Sequence, residues 1–198
     1  MENEGVIKFN SDWVKTKPVE FELSGPLNYW RNYLYELGLI GVNEQGIGFG
    51  NISSRYKINK FIISGYGTGN IITLSMDHYS LVTSYNIETN TLHAEGPVAA
   101  SSESLTHAAL YESDLSINSV IHIHNRVLWE NYINVLPTSD HTVEYGTPAM
   151  AKEVKRLFLN TDLPDVKILI MGGHPDGIIT FGNTMDEAAS ILLDLLRK

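Results

Sequence analysis

The chain has 198 residues, 43% apolar and 19% charged, the balance of a soluble globular protein long enough to bury one sizeable core. It contains no cysteine, so a metal or catalytic site must use His, Asp, Glu, hydroxyls or water, and no disulfide framework exists. The net charge of −9 argues against a nucleic-acid partner, and no apolar run reaches the roughly 18 residues of a membrane span.

The opening Met1-Glu-Asn-Glu-Gly is acidic where a secretory leader is basic and then apolar, so a cytoplasmic location is expected. Residues 1–24 have weak periodicity and read as an arm leading into a single domain over 25–198. Leu27, Trp30, Leu34 and Leu37 fall at helical spacing, and Gly38 supplies a stop. Residues 47–56 and 58–64 read as two strands joined by a polar turn at Lys57. The stretch 71–93 carries further short apolar runs, broken at Glu88-Thr-Asn-Thr91. Next come a helix over 103–112, a strand over 118–124 and a short helix over 126–133. A stronger helix spans 147–159, with Ala149, Val154, Leu157 and Phe158 as its apolar positions. Val166 to Met171 is apolar except for Lys167, as in a strand buried on both faces. Ile178 to Phe181 is another short strand. The last helix, Asp186 to Leu196, opens on a capping box, with Thr184 as cap and Glu187 three residues on. Hairpin-like strands early and helix–strand alternation late predict an α/β or α+β layered domain, a sheet covered by helices.

In Ser119-Val-Ile-His-Ile-His-Asn125 the two-residue period of a strand puts His122 and His124 on one face, with Ile121 and Ile123 on the other. Two imidazoles so placed can reach one metal ion, or line a polar crevice as a hydrogen-bonded pair. His174 follows the strand expected at 166–171, after Gly172 and Gly173 let the backbone approach closely. It is the candidate third ligand, and the bland alternative is a turn residue. Glu103 opens a predicted helix, where an acidic residue serves the helix dipole or lends a carboxylate to a site. His107, one turn on, orients Glu103 or forms a surface pair with it. Gly48-Phe-Gly-Asn-Ile-Ser-Ser-Arg55 and Ser64-Gly-Tyr-Gly-Thr-Gly-Asn70 match neither a Walker loop nor a dinucleotide fingerprint. Their small residues, hydroxyls and amides suit an anion cradle as well as ordinary turns. The cations near them are Arg55, Lys57 and Lys60.

Taken in order, these segments resemble one family. Gly50-Asn51-Ile-Ser53-Ser-Arg55 looks like the Gly-Asn-x-Ser-x-Arg signature of class II aldolase/adducin domains, and Ile62-Ile-Ser64-Gly65 follows where that family has a Ser-Gly turn. Ser101-Ser102-Glu103 with His107 and Tyr111 resembles its Ser-Ser-Glu-x-x-x-His-x-x-x-Tyr segment. Val120-Ile-His122-Ile-His124 resembles its metal-binding strand, Tyr145-Gly146 to Ala151 the opening of its next helix, and His174 with Gly177 its closing His-Gly. The resemblance covers nearly the whole chain. It implies an α/β fold of three α/β/α layers around a central, mostly antiparallel sheet. It also implies a homo-oligomer, often a tetramer, with sites at subunit boundaries.

By the same resemblance a divalent metal, Zn2+ first, is expected on His122, His124 and His174, with Glu103 as the active-site acid. Phosphate-binding positions are expected at Gly50, Asn51, Ser64, Gly65, Ser101 and Ser102. The implied activity is aldol cleavage of a small hydroxy-carbonyl compound, a sugar phosphate, through a metal-stabilised enediolate. A sugar-phosphate epimerase or dehydratase would use the same scaffold, and an adducin-like assembly module would keep the fold without catalysis. Departures from the pattern sit close to the site. Asn125 stands where the family has Pro, and His174-Pro-Asp-Gly177 inserts two residues into the closing motif, which could shift His174 or bring in Asp176. Some family aldolases use a C-terminal Tyr as proton donor; here Tyr66, Tyr132 and Tyr145 are the candidates.

Overall fold

The computed structural model describes residues 6–20, 22 and 24–197. The first half contains β1 (Asn10–Lys15), α1 (Ser24–Glu36), β2 (Gly41–Val42), β3 (Gly48–Phe49), β4 (Asn51–Lys57), β5 (Lys60–Ser64), β6 (Tyr79–Asn86) and β7 (Thr91–Gly96). The second half contains α2 (Ser104–Ser113), β8 (Ser119–His124), α3 (Arg126–Tyr132), α4 (Pro148–Asn160), α5 (Leu163–Val166), β9 (Ile168–Ile170), β10 (Gly177–Gly182) and α6 (Met185–Leu196). Eight strands form one sheet in the order β1-β7-β6-β5-β4-β8-β10-β9, and β2 with β3 forms a small separate hairpin. Every neighbouring pair in the large sheet is antiparallel except β1 with β7.

Alternation along the strands divides the core in two. On one face Phe61, Ile63, Val120, Ile179 and Phe181 pack beneath α2 and α4, which contribute Leu105, Ala109, Val154 and Leu157. On the other, Ile52, Ile62, Ile121, Ile123 and Ile178 meet Leu27 and Leu34 of α1 and Ala188 and Leu192 of α6. The result is the expected three layers, helices, sheet and helices. Local chemistry sets the helix starts. The Thr147 side chain accepts from Met150 N with Pro148 in the first turn, and the Thr184 side chain accepts from Glu187 N. The Glu187 carboxylate in turn accepts from Asn183 N at 2.7 Å and pairs with Lys167. No helix among the described residues is long and apolar enough to cross a membrane.

Three stretches differ from the reading of the sequence. The strand expected over 47–56 divides at Gly50, at φ 73°, into β3 of the small hairpin and β4 of the large sheet. Residues 10–15, expected within an irregular arm, form the edge strand β1. All six are exposed, so no burial period marks them, and pairing with β7 from Asn10↔Thr91 to Lys15↔Gly96 is what makes them a strand. The strand expected from Val166 begins at Ile168. Leu163–Val166 is a short helix with Pro164 in its first turn, and Lys167 leaves it in the left-handed region at φ 56°.

Candidate metal centre

β8 lies between β4 and β10, with His122 opposite Asn51 on one side and Ile179 on the other. His122 and His124 share the parity of Val120 and so leave the sheet on the face that α2 and α4 cover. His174 comes from the turn between β9 and β10. Its N–H donates to Met171 O at 3.1 Å, and its own carbonyl accepts from Gly177 N at 3.0 Å. The inserted Pro175 and Asp176 are absorbed in this turn, where Asp176 takes a φ of 71°. The Asp176 carboxylate faces Arg126 at 3.3 Å rather than the histidines, and its carbonyl accepts from Asn125 N at 2.9 Å. His174 therefore keeps its place, and Asp176 stays out of the site.

Each of His122, His124 and His174 offers a ring nitrogen within 4.8 Å of the other two. His124 Nε2 and His174 Nε2 are 2.9 Å apart. Nitrogens bound to one tetrahedral zinc sit about 3.3 Å apart, so a few tenths of an ångström of adjustment would seat an ion. His122 Nε2 and Glu103 Oε1 are buried without a hydrogen-bond partner, and buried polar groups rarely go unpaired without a reason. An ion among the imidazoles would supply that partner, so these residues fit a divalent metal.

Glu103 occupies the cap position of α2, yet its side chain makes no capping bond. The carboxylate reaches β8 and β4 instead. Oε2 pairs with His122 Nδ1 and accepts from Asn51 Nδ2 at 3.1 Å, while Oε1 lies 3.8 Å from His174 Nε2. Burial pushes its pKa upward, but His122, then His174 and Asn51, outweigh it and hold the carboxyl well below the usual range. Burial, partly offset by Glu103, lowers His174 to about 4. Burial and the two neighbouring histidines lower His124 well below its ordinary value. Both thus present the neutral imidazole that a metal requires.

Gly50, Asn51, Gly65, Ser101 and Ser102 line a cavity of about 300 Å³ together with Glu103 and the three histidines. Ser64 does not line it; its buried hydroxyl accepts from Ile52 N at 3.1 Å. Tyr66 and Tyr145 line the cavity, whereas Tyr132 packs against the core on the other side of the sheet. Phe49 was not singled out by sequence reasoning. Its ring stacks on His124 at 5.1 Å, as that of Tyr145 stacks on His174 at 4.0 Å. The available signal was a single aromatic side chain between Gly48 and Gly50.

Residues 45–196 match the family described as the class II aldolase and adducin N-terminal domain. The chain belongs to this family. Among solved structures, L-fuculose 1-phosphate aldolase superposes with a TM-score of 0.67 over 90% of this chain and 83% of its own, at 17% identity. YgbL from Klebsiella pneumoniae, provisionally described as an aldolase/epimerase/decarboxylase, gives 0.65 over 88% and 84%, at 15% identity. The sugar-phosphate aldolase from Thermotoga maritima gives 0.59 over 89% and 97%, at 14% identity. At such low identities the superpositions establish the shared fold alone. No curated protein matches the chain in sequence.

Two signatures of this class II aldolase/adducin chain form one physical unit. Strand positions 51, 53 and 55 face positions 103, 107 and 111 along α2. Two strand residues advance about 6.6 Å and four helical residues about 6 Å, so the two spacings stay in step. Asn51 meets Glu103, and Ser53 Oγ meets both His107 Nδ1 and Tyr111 Oη at 2.7 Å. Arg55 donates to the carbonyls of Ile117 at 2.8 Å, Tyr111 at 2.9 Å and Asp114 at 3.1 Å. Arg55 thus serves the C-terminal end of α2, where a cation is favourable, and not the glycine segments. The His107 ring neither bonds the Glu103 carboxylate nor reaches the surface. It is fully buried on Ser53, and burial lowers it to about 3.

Proposed function

We propose that the protein is a metal-dependent aldolase acting on a small hydroxy-carbonyl substrate, with a sugar phosphate as the substrate class. The observation that carries this reading is the set of three imidazole nitrogens within 4.8 Å on a cavity wall, with the Glu103 carboxylate beside them. His122, His124 and His174 would hold the ion, and an all-imidazole donor set suits Zn2+. When bound, it supplies Lewis-acid charge to a carbonyl oxygen that becomes negative as the neighbouring carbon–carbon bond breaks. Glu103 is the proton carrier. Its carboxyl is held ionised, Oε1 has no hydrogen-bond partner among the described residues, and Asn51 Nδ2 fixes the other oxygen at 3.1 Å. Phe49 and Tyr145 stack on His124 and His174, which limits rotation of the two imidazoles. The cavity of about 300 Å³ has the size of a small-molecule site.

Elemental analysis of the purified protein beside His122→Ala and His174→Ala tests the reading. About one divalent ion per chain, lost in both variants, is the expected result. Metal retained in His174→Ala would remove that residue from the ligand set. A folded wild type that takes up no metal, even after incubation with zinc, would overturn the aldolase reading in favour of a non-catalytic adducin-like module. Glu103→Gln should then abolish cleavage of hydroxy-carbonyl phosphates while the metal stays bound.

A further inference from the structure

The cavity wall formed by Gly65–Gly69 is held from behind by a buried cation. Arg31, on α1, is 1% exposed and does not line the cavity. Its guanidinium donates to the carbonyls of Thr68 at 2.9 Å, Ile72 at 3.0 Å and Ile71, and lies 5.0 Å from the Tyr35 ring. No carboxylate among the described residues pairs with it. Burying a guanidinium without a counter-charge is costly, and here the compensation comes from one loop's carbonyl dipoles.

The geometry of that compensation reaches the cavity. No peptide bond among the described residues is cis, so a carbonyl turned toward Arg31 turns the following N–H the opposite way. The Thr68 carbonyl faces the guanidinium, which directs the Gly69 N–H away from it, and Gly69 lines the cavity. The N–H groups of Gly67, Thr68 and Gly69 donate to no acceptor among the described residues. Thr68 Oγ1 donates to Gly65 O at 2.8 Å and braces the same turn. Neither Lys nor Arg lines the cavity among the described residues. Lys8 stands behind the Tyr145 ring, on the histidine side, so on the loop side an anion meets peptide N–H groups and hydroxyls.

We propose that Arg31 is a positioning residue for the anionic end of the substrate. It fixes the 65–72 loop, whose Gly67, Thr68 and Gly69 N–H groups have no acceptor among the described residues, and through the Thr68 carbonyl it polarises the Gly69 N–H toward an oxyanion. The phosphoryl group as natural occupant rests on the aldolase reading above; the anion site itself does not.

Calorimetric titration with inorganic phosphate at constant ionic strength tests this on wild type, Arg31→Lys and Arg31→Met. Metal content and a melting curve are recorded for each. Wild type should bind phosphate. Arg31→Met should bind it about tenfold more weakly with unchanged metal content, and Arg31→Lys, which keeps the charge, should recover most of the affinity. With a phosphorylated substrate the loss should fall on KM and leave kcat nearly unchanged. Equal phosphate affinity in folded Arg31→Met and wild type would overturn the proposal, as would a wild type that binds no phosphate. If Arg31→Met does not fold, spectra of wild type labelled with nitrogen-15 glycine decide. Phosphate should move the Gly67 and Gly69 amide signals most, and shifts confined to other glycines would overturn the role. Phosphate binding as expected in a protein without metal or turnover would end the aldolase reading and leave the role of Arg31 standing.

Discussion

Gly177→Ala probes how closely the backbone and the histidines fit. Gly177 is not among the glycines with positive φ, so the chain can accept Ala without backbone strain. Space is the obstacle. A Cβ there would lie 2.7 Å from His174 Cδ2, 3.0 Å from His174 O and 3.2 Å from His122 Nε2. Carbon–carbon contacts are comfortable at about 3.5–4.0 Å, so the His174 ring must retreat by about 1 Å. A metal site tolerates only about 0.2 Å in ligand distance, several times less than that retreat. Metal affinity should therefore fall by about 10- to 100-fold. Overpacking should add a stability loss of about 1–3 kcal/mol in the metal-free protein. Competition with a chromophoric chelator reads the affinity, and urea unfolding in excess chelator reads the stability. An affinity within about twofold of wild type would refute the reasoning, because His174 would then either not be a ligand or move freely on its turn.

Other outcomes follow from the same contacts. Ser53→Ala leaves Tyr111 Oη and His107 Nδ1 without the hydroxyl that each meets at 2.7 Å. Urea unfolding should show a loss of about 2–4 kcal/mol, with metal content unchanged. Arg55→Met removes the donor from the carbonyls of Tyr111 and Asp114 at the end of α2 and of Ile117 beyond it, and should lower stability by about 1–3 kcal/mol without raising KM. A raised KM at unchanged stability would mean that Arg55 faces substrate after all. Burial holds His107 near 3 against an ordinary 6.5, so the unfolded chain takes up a proton that the folded chain refuses. Its contribution is present above about pH 6.5 and is lost as pH falls toward 3, about 2 kcal/mol by pH 5. The difference in unfolding free energy between pH 7 and pH 5 should accordingly shrink in His107→Gln.

What can be read along the chain is what neighbours within a few residues decide. The alternation at 119–124 marks β8 and puts His122 and His124 on one face, because strand geometry allows nothing else. Thr147 with Pro148, and Thr184 with Glu187, mark helix starts because capping bonds span only three residues. β1 carries no such mark. Its six exposed residues become a strand only by pairing with a partner some eighty residues away. α5 is equally hidden, since Leu163–Val166 is too short for a helical period and its apolar residues continue into β9.

Polar partners were the least legible part, for the same reason. Whether Glu103 caps its helix or enters a site depends on what stands opposite, and Asn51, 52 residues away, stands there only because α2 docks over β4. Arg55, Ser64 and Asp176 are plausible ligand contacts on composition alone. Docking turned them to the α2 carbonyls, the Ile52 amide and Arg126. The sequence by itself determined the shared strand face of His122 and His124 and the family pattern, since those rest on residue type and local period. Only the tertiary structure decided that His174, 50 residues from His124, meets the two strand histidines, and that Arg31 stands behind the glycine loop. Those meetings depend on the strand order β4-β8-β10 and on the seating of α1, which two separate apolar cores impose together.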